Sequence, residues 1–243
     1  MNKWAVFSLN LDRDITRFEA QQASLKAQSI DVTRIPALRG ASLPEVIYDF
    51  VPGLNPEEPG TVGCFLSHIR SWEALLKSDA DWGVILEDDA MIEEGFFEIL
   101  NRIDCPKHDL TFINNRMVPL DADGDELVVS IIEAILSRKD LQQIACGGDG
   151  YILTRSGAEE LLELVRKCGV KSDVDWFLLY CAIGDNGLSN ISDNQSFHRK
   201  ISFFSDFYKL EAAILTAACT RKALVSHKGN YKSSRILENK GEL

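Results

Sequence analysis

The chain has 243 residues, of which 45% are apolar, 26% charged and 9% aromatic. This composition is typical of a folded globular protein and excludes a chain that is mainly disordered. Its 26 basic and 37 acidic residues give a formal net charge of -11, which argues against a general nucleic-acid binder, because such proteins present a basic surface to phosphates.

Strands and helices are predicted to alternate along the chain. In chain order, apolar runs and helical spacing predict strand 5–9, helix 15–25, strand 32–35, a proline-rich loop 53–60, helix 61–76 with Thr61 as its N-cap, strand 82–86, helix 95–103, strand 110–113, strand 151–154 and helix 156–167. Residues 127–136 fit either a strand or a helix. This alternation favours an α/β fold with a mostly parallel central sheet flanked by helices.

Charge divides the chain into two segments. Residues 196–243 contain nine Lys or Arg and four Asp or Glu, a net charge of +5, which leaves -16 for residues 1–195. We predict one α/β domain over 1–195 and a basic, mainly helical C-terminal extension over 196–243 that packs on the same unit. Within the extension, Lys228, Lys232 and Arg235 are candidates to meet an anionic ligand or a membrane surface.

Compartment is predicted from the cysteines and the apolar runs. No two of the six cysteines are closer than 13 residues, which excludes zinc-ribbon spacing and is typical of reduced thiols in a cytosol. The first eleven residues are too short and polar for a signal peptide, and no apolar run approaches the roughly 18 residues that a membrane span needs. We therefore expect a cytoplasmic protein, including at the cytoplasmic face of the inner membrane.

Three consecutive carboxylates follow the third predicted strand. Glu87, Asp88 and Asp89 lie where α/β sheets collect ligands, and such neighbours repel one another unless a cation sits among them. Oxygen ligands of this kind suit Mn²⁺ or Mg²⁺ bridging to a diphosphate. If the strand geometry continues, Glu87 and Asp89 point to one side and Asp88 to the other. Alternatively, Asp88 and Asp89 only cap a turn.

Other polar residues allow two interpretations each. Asp173 or Asp175 is an N-cap, or a carboxylate beside Trp176 that serves as a general base. His68 and His227 fit hydrogen-bonded or surface histidines better than metal ligands. Outside these residues, the glycines of 147–150 indicate a close approach of the backbone to a ligand or a strand, and the acidic segment 121–125 fits a solvated turn.

An ordered set of short motifs resembles glycosyltransferase family 25, the lipopolysaccharide and lipooligosaccharide glycosyltransferases. The matching stretches, in order over about residues 4–180, are 8–13 (SLNLDR) with Arg17, 63–68 (GCFLSH) with Trp72, 84–90 (VILEDDA), 150–153 (GYIL) with Gly157, Ala158, Leu161 and Leu162, and 174–176 (VDW). The sequence departs from the family pattern in having Glu-Asp-Asp rather than a D-x-D motif.

The resemblance implies a GT-A-like catalytic domain over 1–195 that uses a nucleotide-sugar donor, a divalent metal and inversion at the anomeric carbon. By that resemblance, Asp89 is a direct metal ligand, Glu87 and Asp88 support the metal or the donor ribose, and His227 is an additional ligand. Asp175 is the general base.

The same resemblance places Asn10, Asp12 and Arg17 at the nucleotide. It implies a β-galactosyltransferase that moves galactose from UDP-galactose to a sugar hydroxyl, on a saccharide acceptor of lipopolysaccharide or lipooligosaccharide type that can be lipid-linked. Membrane contact would be peripheral, through the basic extension.

Two other functions remain open from the sequence. One is a glycoside hydrolase that uses Asp89 and Asp175 as an acid and base pair. The other is a protein that binds a nucleotide sugar without catalysis. Hydrolysis of a glycoside without a nucleotide would favour the first, and UDP binding without transfer would favour the second.

Overall fold

A computed structural model describes residues 3–103, 107–119, 124–138, 145–191, 195–227 and 234–241. In chain order the elements are β1 (Trp4–Asn10), α1 (Ile15–Ala27), β2 (Val32–Pro36), α2 (Val46–Phe50), α3 (Pro59–Lys77), β3 (Trp82–Glu87), β4 (Ala90–Ile92), α4 (Phe96–Arg102), β5 (Leu110–Phe112), β6 (Val128–Ser130), α5 (Ile131–Leu136), β7 (Gly150–Thr154), α6 (Arg155–Cys168), α7 (Val174–Asn190), α8 (Gln195–Tyr208), β8 (Ala217–Thr220), β9 (Val225–His227) and α9 (Ser234–Asn239).

A central sheet of seven strands organises the molecule. Its order is β2-β1-β3-β7-β5-β8-β6. The β1–β2, β1–β3 and β5–β8 pairs are parallel, whereas β7 and β6 run against their neighbours. Five of the seven strands therefore point in one direction, which confirms the predicted α/β fold with a mostly parallel sheet. A second small sheet joins β4 and β9 in antiparallel register, with Ala90 opposite His227.

Alternating side chains on the strands build a hydrophobic core on each face of the sheet. Phe7, Ile85 and Tyr151 belong to the larger core, which α3, α6, α7 and α8 cover. Their neighbours Val84 and Ile152 point to the opposite face, into a smaller core completed by α1 and α4. Since successive side chains on a strand face opposite ways, the near-continuous apolar runs of β3 and β7 are buried on both sides. Both faces are thereby flanked by helices, as the sequence predicts.

Several local features differ from the sequence prediction. The long helix α3 begins at Pro59 rather than after Thr61, because proline fits the first helical position, where its missing N–H is not needed. The ambiguous segment 127–136 contains both structures, strand β6 followed directly by α5, and Ser130 accepts a hydrogen bond from the Glu133 backbone N–H as the N-cap.

Two strands come from the segment beyond residue 195, and the sequence pattern predicts neither. β8 lies between β5 and β6 in the central sheet, while β9 completes the small sheet with β4. The basic segment therefore shares the main sheet with the rest of the chain. The domain boundary at residue 195 stays a prediction.

The helices of the described residues are all too short or too polar to cross a membrane.

Candidate active site

The three acidic residues after β3 lie in a turn at the carboxyl end of that strand. β3 ends at Glu87, Asp88 and Asp89 form a tight turn, and the chain continues into β4 at Ala90. The extended geometry therefore stops at Glu87, and the expected alternation of the three side chains does not apply. All three instead line one cavity, together with residues of β1, α1, α3 and α9 that include Leu9, Arg17, Cys64, His68 and Glu238.

Asp88 is held by the end of β1 and the start of α1. Asn10 Nδ2 donates to Asp88 Oδ2 at 2.6 Å, and Arg17 Nη1 lies 3.6 Å from Asp88 Oδ1. Burial raises the pKa of Asp88 to about 6, although Asn10 and Arg17 oppose the shift. Asn10 is itself fixed, since its Oδ1 accepts from Arg34 Nε at 2.8 Å. Asn10 therefore positions Asp88, and Arg17 remains at the wall of the cavity.

The pKa of Asp89 is raised further than that of Asp88. Its side chain is buried, and burial together with the charges of Glu87, Asp88 and Asp149 raises its pKa to about 7. The β4–β9 pairing brings His227 beside it, with Nδ1 3.7 Å from Asp89 Oδ2. Neither Asp89 Oδ1 nor His227 Nδ1 has a hydrogen-bond partner among the described residues. Two of the residues assigned to a metal by the resemblance are thus brought together, each with a buried atom that has no hydrogen-bond partner among the described residues.

Asp149 adds a fourth carboxylate that the sequence analysis missed. It directly precedes β7, whose antiparallel pairing with β3 places it beside Glu87, and the Glu87 backbone N–H donates to the Asp149 carbonyl at 3.2 Å. The Asp149 side chain is 1% exposed, and Arg116 Nη2 lies 2.8 Å from its Oδ1. Even so, neither oxygen accepts a well-aligned hydrogen bond from the described residues. Burial raises the pKa of Asp149, and the charge of Arg116 opposes that shift.

Glu87 faces α3 through a chain of buried polar contacts. His68 Nε2 lies 3.3 Å from Glu87 Oε1, and His68 Nδ1 lies 2.8 Å from the Tyr151 hydroxyl. That hydroxyl accepts from Trp72 Nε1 at 2.8 Å. His68 is fully buried, so the interpretation as a hydrogen-bonded histidine is confirmed. Helical spacing places His68 one turn before Trp72 on α3, and β7 supplies the tyrosine that joins them.

Asp175 lies in the first turn of α7, outside the set of described residues that line the cavity. It is buried, and its Oδ1 accepts from the Trp176 backbone N–H at 3.0 Å. Asp173 occupies the N-cap position, without a side-chain cap bond. Asp175 is electrostatically linked to the cavity through Arg116: burial lowers the pKa of Arg116, but Asp149, Glu87 and Asp175 together raise it.

Other residues that the sequence singled out lie elsewhere. The Asp12 side chain is 87% exposed and pairs with Arg34 at 2.5 Å, away from the cavity-lining set; its role at a nucleotide stays a prediction. Lys228, Lys232, Asp121, Asp123 and the side chain of Arg235 lie outside the described residues.

The donor set at the turn fits a hard divalent cation. Glu87 and Asp89 line the same cavity, and the charges of Glu87 and Asp149 both act on Asp89. A buried carboxylate oxygen without a hydrogen-bond partner, such as Asp89 Oδ1, is costly unless a positive charge compensates it. Oxygen donors of this type suit Mn²⁺ or Mg²⁺. Arg116 provides a compensating positive charge for Asp149. Asp89 Oδ1, in contrast, lacks a hydrogen-bond partner in the described part of the chain.

Comparison with known proteins identifies the family. The family model described as "Glycosyltransferase family 25 (LPS biosynthesis protein)" matches residues 4–176, which include α3 and the acidic residues Glu87, Asp88 and Asp89. The chain belongs to glycosyltransferase family 25. Its family 25 match ends at residue 176, so β8, β9 and α9 lie beyond it.

Relatives of family 25 include proteins from animals and bacteria. The chain is 24% identical over 176 residues to human "Procollagen galactosyltransferase 2", covering 65% of this chain and 27% of that protein. It is 31% identical over 120 residues to a "Putative glycosyltransferase" of Haemophilus influenzae, covering 48% of this chain and 40% of that protein. The chain thus spans about a quarter of the length of the human relative.

Among solved structures, a glycosyltransferase involved in glycosylation of the major capsid of PBCV-1 aligns over 98% of both chains, with a TM-score of 0.42 and 8% sequence identity.

Proposed function

We propose that the chain is a metal-dependent inverting glycosyltransferase that moves galactose from UDP-galactose to a sugar hydroxyl. The observation that carries the proposal is the presence of Glu87 and Asp89 in one cavity at the carboxyl end of β3, where the buried Asp89 Oδ1 lacks a hydrogen-bond partner in the described residues and the charge of Asp149 acts on Asp89. Membership of family 25 supports glycosyl transfer, and the name of the human relative supports galactose as the sugar.

Asp89 would hold the divalent cation, with Glu87, Asp149 and His227 as further ligands around it. A bound Mn²⁺ or Mg²⁺ supplies positive charge that stabilises a leaving nucleoside diphosphate. The chain's own residues would hold the rest of the donor. Asp88, fixed by Asn10, faces the cavity beside Arg17, so its carboxylate is suited to accept hydrogen bonds from ribose hydroxyls while the Arg17 guanidinium meets a phosphate.

Asp175 would act as the general base. Inversion requires a single displacement, in which the acceptor oxygen attacks the anomeric carbon opposite the leaving diphosphate while a carboxylate takes the hydroxyl proton. Asp175 is a buried carboxylate linked through Arg116 to the acidic cluster. Arg116 also pairs with Asp149. Its positive charge would therefore act on both the proposed metal ligand Asp149 and the proposed base Asp175.

The acceptor would be a saccharide of lipopolysaccharide or lipooligosaccharide type, in line with the description of the family. Lipid linkage of that acceptor, peripheral contact of the basic segment 196–243 with a membrane, and a cytoplasmic site of action all belong to the proposal. Neutral substitution of Lys228, Lys232 and Arg235 together tests this part: weaker binding to anionic vesicles or to the donor is expected, and unchanged binding to both would contradict it.

Transfer is tested with UDP-galactose, Mn²⁺ and a panel of saccharide acceptors, with the anomeric configuration of the product read by NMR. A β-linked galactoside is expected from the α-linked donor.

Asp89→Asn is expected to lose transfer, and Asp206→Asn, which changes an exposed acid on α8, is its matched control. Release of sugar from a glycoside without any nucleotide would instead indicate a hydrolase. UDP binding without transfer to any acceptor would indicate a non-catalytic binding protein.

A further inference from the structure

Next to the acidic cluster, α3 and β3 bring together three ligand atoms of different kinds. Cys64 and His68 lie one helical turn apart on α3, so both face the end of β3. Cys64 Sγ lies 4.0 Å from Glu87 Oε1, and His68 Nε2 lies 3.3 Å from the same oxygen. The sulfur, nitrogen and oxygen atoms all lie within 4.8 Å of one another. The thiol of Cys64 distinguishes this cluster from the carboxylate and imidazole set around Asp89.

The distances from Glu87 Oε1 to the other two ligand atoms are close to those of a tetrahedral zinc site. With Zn–N and Zn–O bonds of about 2.05 Å and a Zn–S bond of about 2.3 Å, tetrahedral angles place N and O about 3.3 Å apart and S and O about 3.6 Å apart. The observed N···O distance is 3.3 Å, and the observed S···O distance of 4.0 Å needs a closure of only a few tenths of an ångström. Cys64 is only partly buried, and a rotation of its side chain would change the position of the sulfur.

The surroundings of the cluster supply both space and support. A Cβ atom on Gly148 would lie 3.3 Å from Glu87 Oε1 and 3.5 Å from His68 Cε1, so the absence of a side chain there leaves this side of the pair open. On the other side, His68 Nδ1 contacts the Tyr151 hydroxyl at 2.8 Å. A partner on the second ring nitrogen is what orients a metal-binding histidine.

We propose that Cys64, His68 and Glu87 form a second metal site, selective for thiophilic divalent cations such as Zn²⁺. Thiolate and imidazole ligands favour Zn²⁺ over Mn²⁺ or Mg²⁺, which prefer oxygen. On binding, the cation would displace the proton of the Cys64 thiol, which is released to solvent. It would bind Nε2 of a neutral His68 whose Nδ1–H donates a hydrogen bond to the Tyr151 hydroxyl. Three protein ligands leave a fourth position to water.

Occupation of this site would inhibit the enzyme, and this part of the inference rests on the proposed function. Cys64, His68 and Glu87 all line the cavity that also contains Arg17 and Asp88. A zinc ion bound there would withdraw Glu87 from the proposed cation site at Asp89 and add charge beside the predicted donor pocket. Zn²⁺ is therefore expected to inhibit even when Mn²⁺ is in excess.

Binding is tested with Co²⁺, which replaces Zn²⁺ in such sites and reports thiolate ligation by a charge-transfer absorption in the near ultraviolet. The wild-type protein, kept reduced with a phosphine, is expected to develop this absorption on titration with Co²⁺ and to lose it when Zn²⁺ is added. Cys64→Ser should abolish the absorption and weaken Zn²⁺ binding by at least about tenfold. Cys168→Ser, which changes another partly buried cysteine, is the matched control and should behave as wild type.

Two outcomes would overturn the proposal: no thiolate absorption in the wild-type protein, or an absorption that persists in Cys64→Ser. Because Cys64→Ser changes one atom of a partly buried side chain, its fold is checked by its thermal melt, and His68→Gln gives an independent loss of a ligand. Asp89→Asn separates this site from the proposed function. That variant should lose transfer yet keep the cobalt absorption. A wild-type protein that shows the absorption but transfers no sugar would contradict only the glycosyltransferase proposal.

Discussion

Carboxylates at the two ends of the central sheet differ in how fully the protein satisfies them with hydrogen bonds. At the amino end of β5, Asp109 accepts hydrogen bonds from the Thr216 backbone N–H and hydroxyl at 3.0 and 2.7 Å, and from the hydroxyls of Ser156 and Thr154 at 3.0 and 3.2 Å. Burial alone would raise the pKa of Asp109, but these hydrogen bonds lower it overall. The protein's own donors thus satisfy both oxygens of the Asp109 carboxylate, and we call this end of the sheet the completed end.

At the carboxyl end of β3, which we call the incomplete end, some buried carboxylate oxygens lack hydrogen-bond partners. Asp89 Oδ1 and Asp149 Oδ2 lack hydrogen-bond partners in the described part of the chain, and Arg116 pairs with Asp149 Oδ1. Burial and acidic neighbours raise the pKa of Asp89 to about 7. The comparison separates an acid that holds the fold together from acids that destabilise it unless a ligand binds. Such local cost at one edge of a stable sheet is typical of a functional site.

The largest expected effect is on catalysis at the incomplete end. Asp89→Asn removes a proposed metal ligand and should lower kcat/KM for transfer by roughly 10³-fold, since the charge on a bound cation stabilises a transition state by several kcal/mol. Steady-state rates with UDP-galactose and Mn²⁺ measure the effect. Asp109→Asn, at the completed end, should retain most of the activity; equal losses in both variants would remove the distinction between the two ends.

Asp175→Asn is expected to lower kcat by about 10²- to 10⁴-fold, the range of general base catalysis. Because Asp175 lies outside the described set of cavity-lining residues, Mn²⁺ and UDP should still bind with unchanged affinity. Calorimetric titration beside the rate measurement checks both statements. A fall in metal affinity equal to that of Asp89→Asn would place Asp175 in the metal site instead.

Stability should respond most strongly at the completed end. Asp109→Asn loses the charge that four hydrogen bonds stabilise, and we expect a loss of about 1–3 kcal/mol in the free energy of unfolding at pH 7. The lowered pKa of Asp109 means that its contribution is present above about pH 4 and disappears as acid protonates the carboxylate. Urea denaturation at pH 7 and pH 3 tests this, and a loss of equal size at both pH values would contradict it.

Asp89→Asn should have the reverse effect on the metal-free protein. The pKa of Asp89 is about 7 when folded against 3.8 as a model value, so the fold favours the protonated form and wild-type stability falls as pH rises from about 4 to about 7. Asparagine is neutral throughout, and the variant should melt higher than wild type at pH 8, by about 2–4 °C for each kcal/mol gained. A lower melting temperature at pH 8 would show that Asp89 is satisfied in the fold.

Much of the fold follows from local sequence patterns, and the exceptions depend on long-range contacts. The apolar runs of β1, β3 and β7 and the helical stripe of α3 locate the sheet and its main helix correctly. β8 and β9 are short, and each is defined by a distant partner, β8 by β5 and β6 and β9 by β4. No local period marks such strands.

The site, like the fold, was predictable from the sequence only where its residues are close together along the chain. The acidic run 87–89 is adjacent in sequence, so its place at the end of an apolar strand is readable directly. Asp149 and Arg116 were missed, because only the antiparallel pairing of β7 with β3 brings Asp149 to Glu87. The signal that was available is the acid within the Gly-Gly-Asp-Gly segment that leads into an apolar strand, since such glycines indicate close backbone approach.

The measurement that tests the central claim most directly is the change in melting temperature with Mn²⁺ at pH 8 for wild type, Asp89→Asn and Asp109→Asn. At a concentration 100 times the dissociation constant, Mn²⁺ should stabilise wild type by about 2.7 kcal/mol, or roughly 5–10 °C. The same shift is expected for Asp109→Asn from its lower starting point, and little or none for Asp89→Asn. An equal shift in all three proteins, or none in wild type, would contradict a cation site at the carboxyl end of β3.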